Sequence, residues 1–272
     1  MTHTSAWITP LAARRALREG TGRGIKIALL DSGIELSHPG FGRRRLVDDI
    51  AFEISPAGTV RRIPGRGIDE CGHGTALAGA IWAAAPEVQI GSFRVMDRNF
   101  SSKYAIIREA ATLAIESGYH ILNCSFGARA EDRVIGHFKP WVDLAYRHGV
   151  HVVSACNNES FRLPEWPGHF PTVIAVNMAQ AGPGNLYLRW DGGEEGVPRH
   201  LVEFAASGVD LSLPWKDASW VKRTGSSYAA AHAAGLLARL LSIHPALKPL
   251  VALSLLQEAA ESWTLAHAAT NG

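Results

Sequence analysis

Five short runs stay apolar over successive positions: Ile25–Leu30, Val88–Val95, His120–Phe126, Val150–Cys156 and Thr172–Val176. A strand wetted on one face alternates polar with apolar, whereas a strand that does not alternate must be covered on both faces. Helical patterns at Tyr104–Glu116 and Pro140–Arg147 separate successive runs. A further helix, Ala76–Ala85, is stopped by Pro86, and a short one over Pro10–Glu19 opens the chain. Strands separated by helices predict an α/β fold, with a mostly parallel central sheet and helices on both faces. No repeat or low-complexity tract interrupts the pattern, so residues 1–272 are expected to form a single domain. Residues 34–70 are rich in glycine, proline and mixed charge and are expected to form surface hairpins rather than core. A strand is expected at Val202–Ala205, a last amphipathic helix at Lys248–Glu261, and a frayed end at Thr270-Asn271-Gly272.

Charge excludes several functions. The 27 Lys and Arg nearly balance the 25 Asp and Glu, for a net charge of +2. No basic field suits nucleic acid, and no polybasic run suits a membrane surface. Arg43-Arg44-Arg45 reads as a solvated loop. No uninterrupted apolar segment reaches transmembrane length, and the first residues lack the pattern of a secretory signal. The three cysteines, Cys71, Cys124 and Cys156, cannot all pair and have no metal-ligand spacing. The expectation is a cytoplasmic protein with no metal and no cofactor, or a secreted one if a signal and prodomain have been removed. Oligomeric state is not legible.

Three polar positions stand out against this frame. Thr224-Gly225-Ser226-Ser227-Tyr228 leads into the small-residue run Ala229–Gly235, which reads as a buried helix entrance. A hydroxyl there, on Ser226 or Ser227, meets backbone N–H groups without intrahelical partners and the positive end of the helix dipole. The bland alternative is a serine N-cap. Asp31 closes the first strand, where α/β proteins place functional groups, although a turn-forming aspartate is equally compatible. His73 stands at a helix start between Gly72 and Gly74, and a lone histidine is most often structural.

In this order and in these local sequences the chain resembles the subtilisin-like serine peptidases. The segments that carry the resemblance are Ile27–Ile34 with His38-Pro39, Gly72–Gly79, Asn123–Gly127, Trp166–Val176 and Thr224–Gly235. The resemblance implies a three-layer subtilisin-like fold and an Asp-His-Ser triad of Asp31, His73 and Ser227. It also implies an oxyanion donor at Asn158, which a one-residue shift would exchange with Asn157, and a second donor in the Ser227 backbone N–H. An extended peptide would lie between Asn99-Phe100-Ser101-Ser102 and Ser125-Phe126-Gly127. Ala155, Cys156, Glu159 and Glu165 would fall near the pocket for the residue before the cut bond. Two carboxylates there would favour a basic residue.

The expected activity is therefore serine endopeptidase, with a polypeptide or peptide as partner and a specific precursor or leader peptide as substrate. A transpeptidase or macrocyclase, or a silent peptide-binding relative, are the alternatives. Ser226, Tyr228 and Ala231 replace the family's usual threonine, methionine and proline. The short interval between the helix after His73 and the Val88 strand leaves no room for the calcium loop of secreted members. The cysteines sit beside site segments and read as small buried hydrophobes, or as points where oxidation would block the site.

Overall fold

The computed structural model describes residues 8–129, 132–159, 163–181, 186–188 and 202–262. Strand β1 (Lys26–Asp31) shows why the apolar runs do not alternate. Ile27 and Leu29 join one hydrophobic cluster, Ala28 and Leu30 join another, and all four are at most 1% exposed. The first cluster packs helices α1 (Pro10–Glu19), α2 (His73–Ala84), α5 (Ser226–Ile243) and α6 (Pro249–Ala259) against the sheet. The second packs α3 (Tyr104–Glu116) and α4 (Asp132–His148) against its other face. The result is the three-layer α/β arrangement that the apolar runs predict.

The remaining strands are β2 (Leu46–Ile54), β3 (Val60–Pro64), β4 (Gln89–Arg94), β5 (Ile121–Cys124), β6 (Ala128–Arg129), β7 (His151–Ala155) and β8 (Glu165–Trp166). They continue with β9 (Val173–Ala179), β10 (Leu186–Leu188), β11 (Phe204–Ser207), β12 (Leu211–Trp215), β13 (Ser219–Arg223) and β14 (Glu261–Ser262). Ten strands form the main sheet in the order β14-β10-β11-β9-β7-β5-β1-β4-β2-β3. From β11 to β2 every neighbouring pair is parallel, and β3 and β10 run antiparallel to their neighbours β2 and β11. Two small antiparallel pairs, β12–β13 and β6–β8, stand apart from it.

Three expectations need correction. Residues 34–70 do not stay on the surface: β2 enters the main sheet parallel to β4, and its Ala51 and Phe52 are buried. Its other positions are half-buried or exposed because it lies near the sheet edge, so its sequence lacks a continuous apolar run. Helix α4 starts at Asp132 with Pro140 inside it, because Val134, Ile135 and Phe138 already carry a helical stripe towards the second cluster. The strand expected at Val202–Ala205 pairs over Phe204–Ser207 instead. The end at Thr270-Asn271-Gly272 lies outside the described residues.

Helix α5 crosses the core along its small-residue run. A Cβ on Gly235 would come within 2.6 Å of the Ala84 Cβ, so α5 and α2 approach closely only because neither carries bulk there. Among the described residues no helix is long and apolar enough to cross a membrane.

Two histidines in this core are held neutral. Burial lowers His151 to about 4, although its contact with the Leu247 carbonyl favours the charged form. Burial also lowers His232, on α5, to about 4. An unfolded histidine binds its proton near 6.5, so between about pH 6.5 and 4 the unfolded chain takes up protons that the folded chain refuses. The stabilisation from each is complete above about pH 6.5 and is lost as the pH falls towards 4, to a limit of roughly 3 kcal/mol. We predict that urea denaturation midpoints fall steeply over this window. His232→Gln should flatten the pH slope by close to one proton, and an unchanged slope would contradict the assignment.

Candidate active site

In a parallel sheet, functional groups gather outside the carboxyl ends of the strands. Adjacent strands β4, β1, β5 and β7 end here at Arg94, Asp31, Cys124 and Ala155. The segments that follow them hold Asn99–Ser102, Ser32-Gly33, Ser125–Gly127 and Cys156–Glu159. Residues spread over more than a hundred positions are thereby brought to one edge of the sheet.

Asp31 is 1% exposed, and its Oδ1 accepts from the Ser32 N–H and from His73 Nδ1, each at 2.8 Å. Its Oδ2 is buried without a hydrogen-bond partner. His73 opens α2, and the helix start is pressed onto the turn after β1. A Cβ on Gly74 would lie 2.0 Å from the Gly33 carbonyl oxygen, so only glycine lets the imidazole reach the carboxylate. With Nδ1 donating to Asp31, the ring presents a lone pair at Nε2, which bonds to no described residue. Burial disfavours the imidazolium, but the charge and hydrogen bond of Asp31, with a further contribution from Asp69, outweigh it and raise the pKa of His73. The rings of Phe100 and Tyr228 flank the imidazole at 5.7 Å and 5.6 Å.

Sequence reasoning missed Asp69. It is 8% exposed and binds the start of α2. Its Oδ1 accepts from the Gly72 N–H at 2.7 Å, the Cys71 N–H at 3.1 Å and the Ser32 hydroxyl at 2.7 Å. Its Oδ2 accepts from the N–H and hydroxyl of Thr75 at 2.8 Å and 2.6 Å. An acidic residue just before a helix start is a capping signal, and here it was hidden in a charge-rich stretch.

The two adjacent serines separate cleanly. Ser226 is fully buried and its hydroxyl donates to the Cys156 carbonyl at 2.7 Å. Ser227, the next residue of α5, is half-buried, and its Oγ is 3.5 Å from the Ser125 carbonyl oxygen. Neither serine caps the helix. The residue before it is Gly225, and the Ser226 N–H donates to Asn158 Oδ1 at 2.8 Å. The two asparagines separate as well. Asn157 is 4% exposed and turned inwards, accepting from the Glu159 N–H at 2.8 Å and donating to Glu165 at 3.2 Å. Asn158 is exposed, and its amide nitrogen bonds to no described residue beside the Ser227 helix start. The arrangement offers a hydroxyl, an imidazole oriented by a carboxylate, and a side-chain N–H donor.

The segments expected to hold a peptide are also located. Phe100, at φ 56° and 55% exposed, tops a turn in which Asp97 Oδ1 accepts from the N–H groups of Asn99 and Ser101. Ser102 donates to the Val95 carbonyl at 2.6 Å. Ser125 donates to the Ser227 carbonyl at 3.1 Å and accepts from Asn123 Nδ2 at 3.0 Å. Beyond the half-buried Phe126 and the exposed Gly127, β6 pairs with β8 and sets Arg129 opposite Glu165.

The two glutamates differ. Glu159 is exposed and bound to Arg129 at 2.5 Å. Glu165 covers Gly127, where a Cβ would meet its carboxyl carbon at 2.5 Å, and burial raises its pKa against the Asn157 hydrogen bond and Arg129. Ala155 and Cys156 are buried. All three cysteines are free thiols. Burial pushes the pKa of Cys71 and of Cys124 upwards, which disfavours the reactive thiolate in both. Among the described residues no cluster of three or more His, Cys, Asp or Glu could hold a metal ion.

Residues 22–272 match the family described as "Peptidase_S8: Subtilase family". Over 238 residues the protein is 27% identical to Subtilisin E of Bacillus subtilis (strain 168), covering 83% of this chain and 57% of that protein. It is 28% identical over 250 residues to the Minor extracellular protease Epr of the same organism, covering 88% of this chain and 35% of that one. It thus spans little more than half of Subtilisin E, whereas it covers 79% of a subtilisin of Bacillus pumilus. Among solved structures, one titled "S41 Psychrophilic Protease" shares the fold, with a TM-score of 0.71 and 24% identity. That likeness covers 88% of this chain and 82% of the other.

Proposed function

The chain belongs to the subtilase family, and from that membership we propose that it is a serine endopeptidase working through Asp31, His73 and Ser227. Ser227 attacks the scissile carbonyl while His73 Nε2 takes its proton. Asp31 holds the tautomer and stabilises the imidazolium. The Asn158 amide and the Ser227 backbone N–H donate to the oxyanion, and His73 returns its proton to the departing amine. Water then resolves the acyl-enzyme. The observation that carries this reading is the 2.8 Å bond from His73 Nδ1 to the buried Asp31 carboxylate, with Nε2 unbonded beside the ring of Tyr228, the residue after Ser227.

The substrate is an extended peptide lying between Asn99–Ser102 and Ser125–Gly127, paired through its main chain. Of the two glutamates expected near the pocket for the residue before the cut bond, Glu159 is engaged by Arg129. Glu165, half-buried against Gly127, is the carboxylate that favours a basic residue. A selective site of this kind suits processing of a specific precursor or leader peptide. Three free thiols suit a reducing compartment, the cytoplasm.

A fluorophosphonate probe is predicted to label the protein, and Ser227→Ala to abolish labelling while Ser226→Ala retains it. An unlabelled folded protein would overturn the reading. Matched peptides with Arg or Leu before the cut bond test the pocket. Arg is predicted to be preferred, and Glu165→Gln to reduce that preference by about tenfold or more, as expected for a lost charged hydrogen bond. Equal kcat/KM for the two peptides would remove Glu165 from specificity.

A further inference from the structure

Beside His73 lies an open surface cleft of about 570 Å³, lined by His73, Phe100, Tyr228 and Trp215 together with three cations, Arg98, Lys216 and Arg223. Phe100 comes from Asn99–Ser102, one of the two segments assigned above to the extended peptide, whereas no wall comes from Ser125–Gly127 or from residues 155–165, where the residue before the cut bond is assigned.

The charges of the wall do not cancel. The Arg223 guanidinium lies 4.9 Å from the Trp215 ring centroid, and neither it nor Arg98 has an ion-pair partner among the described residues. Lys216 reaches Asp217 only at 3.9 Å, with side chains 40% and 84% exposed, a pair worth little in water. Glu70, the carboxylate of this wall, is already bonded to Arg94. A concave surface with excess positive charge concentrates anions.

The position assigns the cleft to one end of the substrate. This step rests on the peptidase reading above. An imidazole that takes the Ser227 proton hands it to the departing amine, so the space walled by that imidazole and by Tyr228 receives the leaving segment, the residues that follow the cut bond. A cube of this volume has an edge of ~8 Å, room for two to three extended residues at about 3.3 Å each.

We propose that this cleft binds a carboxylate on the leaving segment, so that Arg98, Lys216 and Arg223 select substrates that are acidic within about three residues after the cut bond. The carboxylate is supplied by an Asp or Glu side chain or by a C-terminus at that distance. Together with Glu165, this makes the preferred cleavage site basic before the bond and acidic after it.

Four internally quenched peptides, identical up to the cut bond, test the proposal. Their leaving segments carry Ala with an amidated end, Asp with an amidated end, Lys with an amidated end, and Ala ending in a free carboxylate at the third position. Either carboxylate form is expected to raise kcat/KM by about three- to fivefold over amidated Ala, consistent with one partly exposed ion-pair cluster. Lys is expected to lower it, and the spread to shrink as salt rises towards 0.5 M. A gain with Asp alone identifies a side chain as the source, and a gain with the free end alone identifies a C-terminus.

In an Arg98→Gln/Arg223→Gln double variant the ratio should fall to within about twofold of unity, while Arg98→Lys/Arg223→Lys retains it. Equal cleavage of all four peptides by the wild-type protein, or a ratio surviving the double Gln change, would overturn the proposal. Fluorophosphonate labelling of each protein separates this from the reading beneath it. A labelled, cleaving enzyme indifferent to charge overturns the carboxylate site alone, whereas an unlabelled wild-type protein overturns the peptidase reading on which it stands.

Discussion

One hydrogen bond, from His73 Nδ1 to Asp31 Oδ1, ties the start of a helix to the end of a sheet strand, and the surrounding structure serves to hold it. Burying a carboxylate costs several kcal/mol unless its neighbours replace the lost water. Asp31 recovers part of that cost from the Ser32 N–H and the imidazole. Ser32 Oγ extends the arrangement: it donates to Asp69 at 2.7 Å and accepts from the Gly74 N–H at 3.0 Å. Asp69 in turn holds the N–H groups of Gly72 and Thr75, so the helix that carries the imidazole cannot turn without breaking several bonds at once. The two buried carboxylates have different duties, Asp31 holding the ring and Asp69 the helix beneath it.

The sheet does the rest of the positioning. Parallel strands place all their carboxyl ends on one edge, which explains how positions 31, 125 and 158 come together although nothing in their local sequences refers to one another. Helix α5 closes the arrangement by running through the core along its small residues, with its first turn held by Asn158 and by the Cys156 carbonyl. Rigid elements hold each polar group, and the segments proposed to meet a peptide are the short connections between them. The proposed cleavage-site preference divides charge between two places: a carboxylate beside Gly127, and guanidinium and ammonium groups beside His73.

Much of this could be read before any coordinates. Continuous apolar runs of five to eight residues marked the buried strands, because a strand covered on both faces has no polar positions to break the run. Strand β2 escaped for the opposite reason, since near the sheet edge only Ala51 and Phe52 are buried and the rest of its sequence resembles a loop. Asp31 and His73 stood out through their positions at a strand end and a helix start. Ser226 and Ser227, like Asn157 and Asn158, differ by a single step in sequence, and only the direction of each side chain tells them apart. Asp69 carried a capping signal that its charged neighbours obscured. The cations around the cleft beside His73 lie at positions 98, 216 and 223, too far apart for any local pattern to join them.

Catalysis by this triad depends on the protonation chemistry of one ring, and an NMR titration of His73 in the wild-type protein and in Asp31→Asn measures it directly. If Asp31 outweighs burial, the wild-type ring titrates above the ordinary histidine value of about 6.5. In Asp31→Asn burial is left largely unopposed, and the ring titrates below that value. A His73 pKa at or below the ordinary value in the wild-type protein, unmoved by Asp31→Asn, would contradict the account.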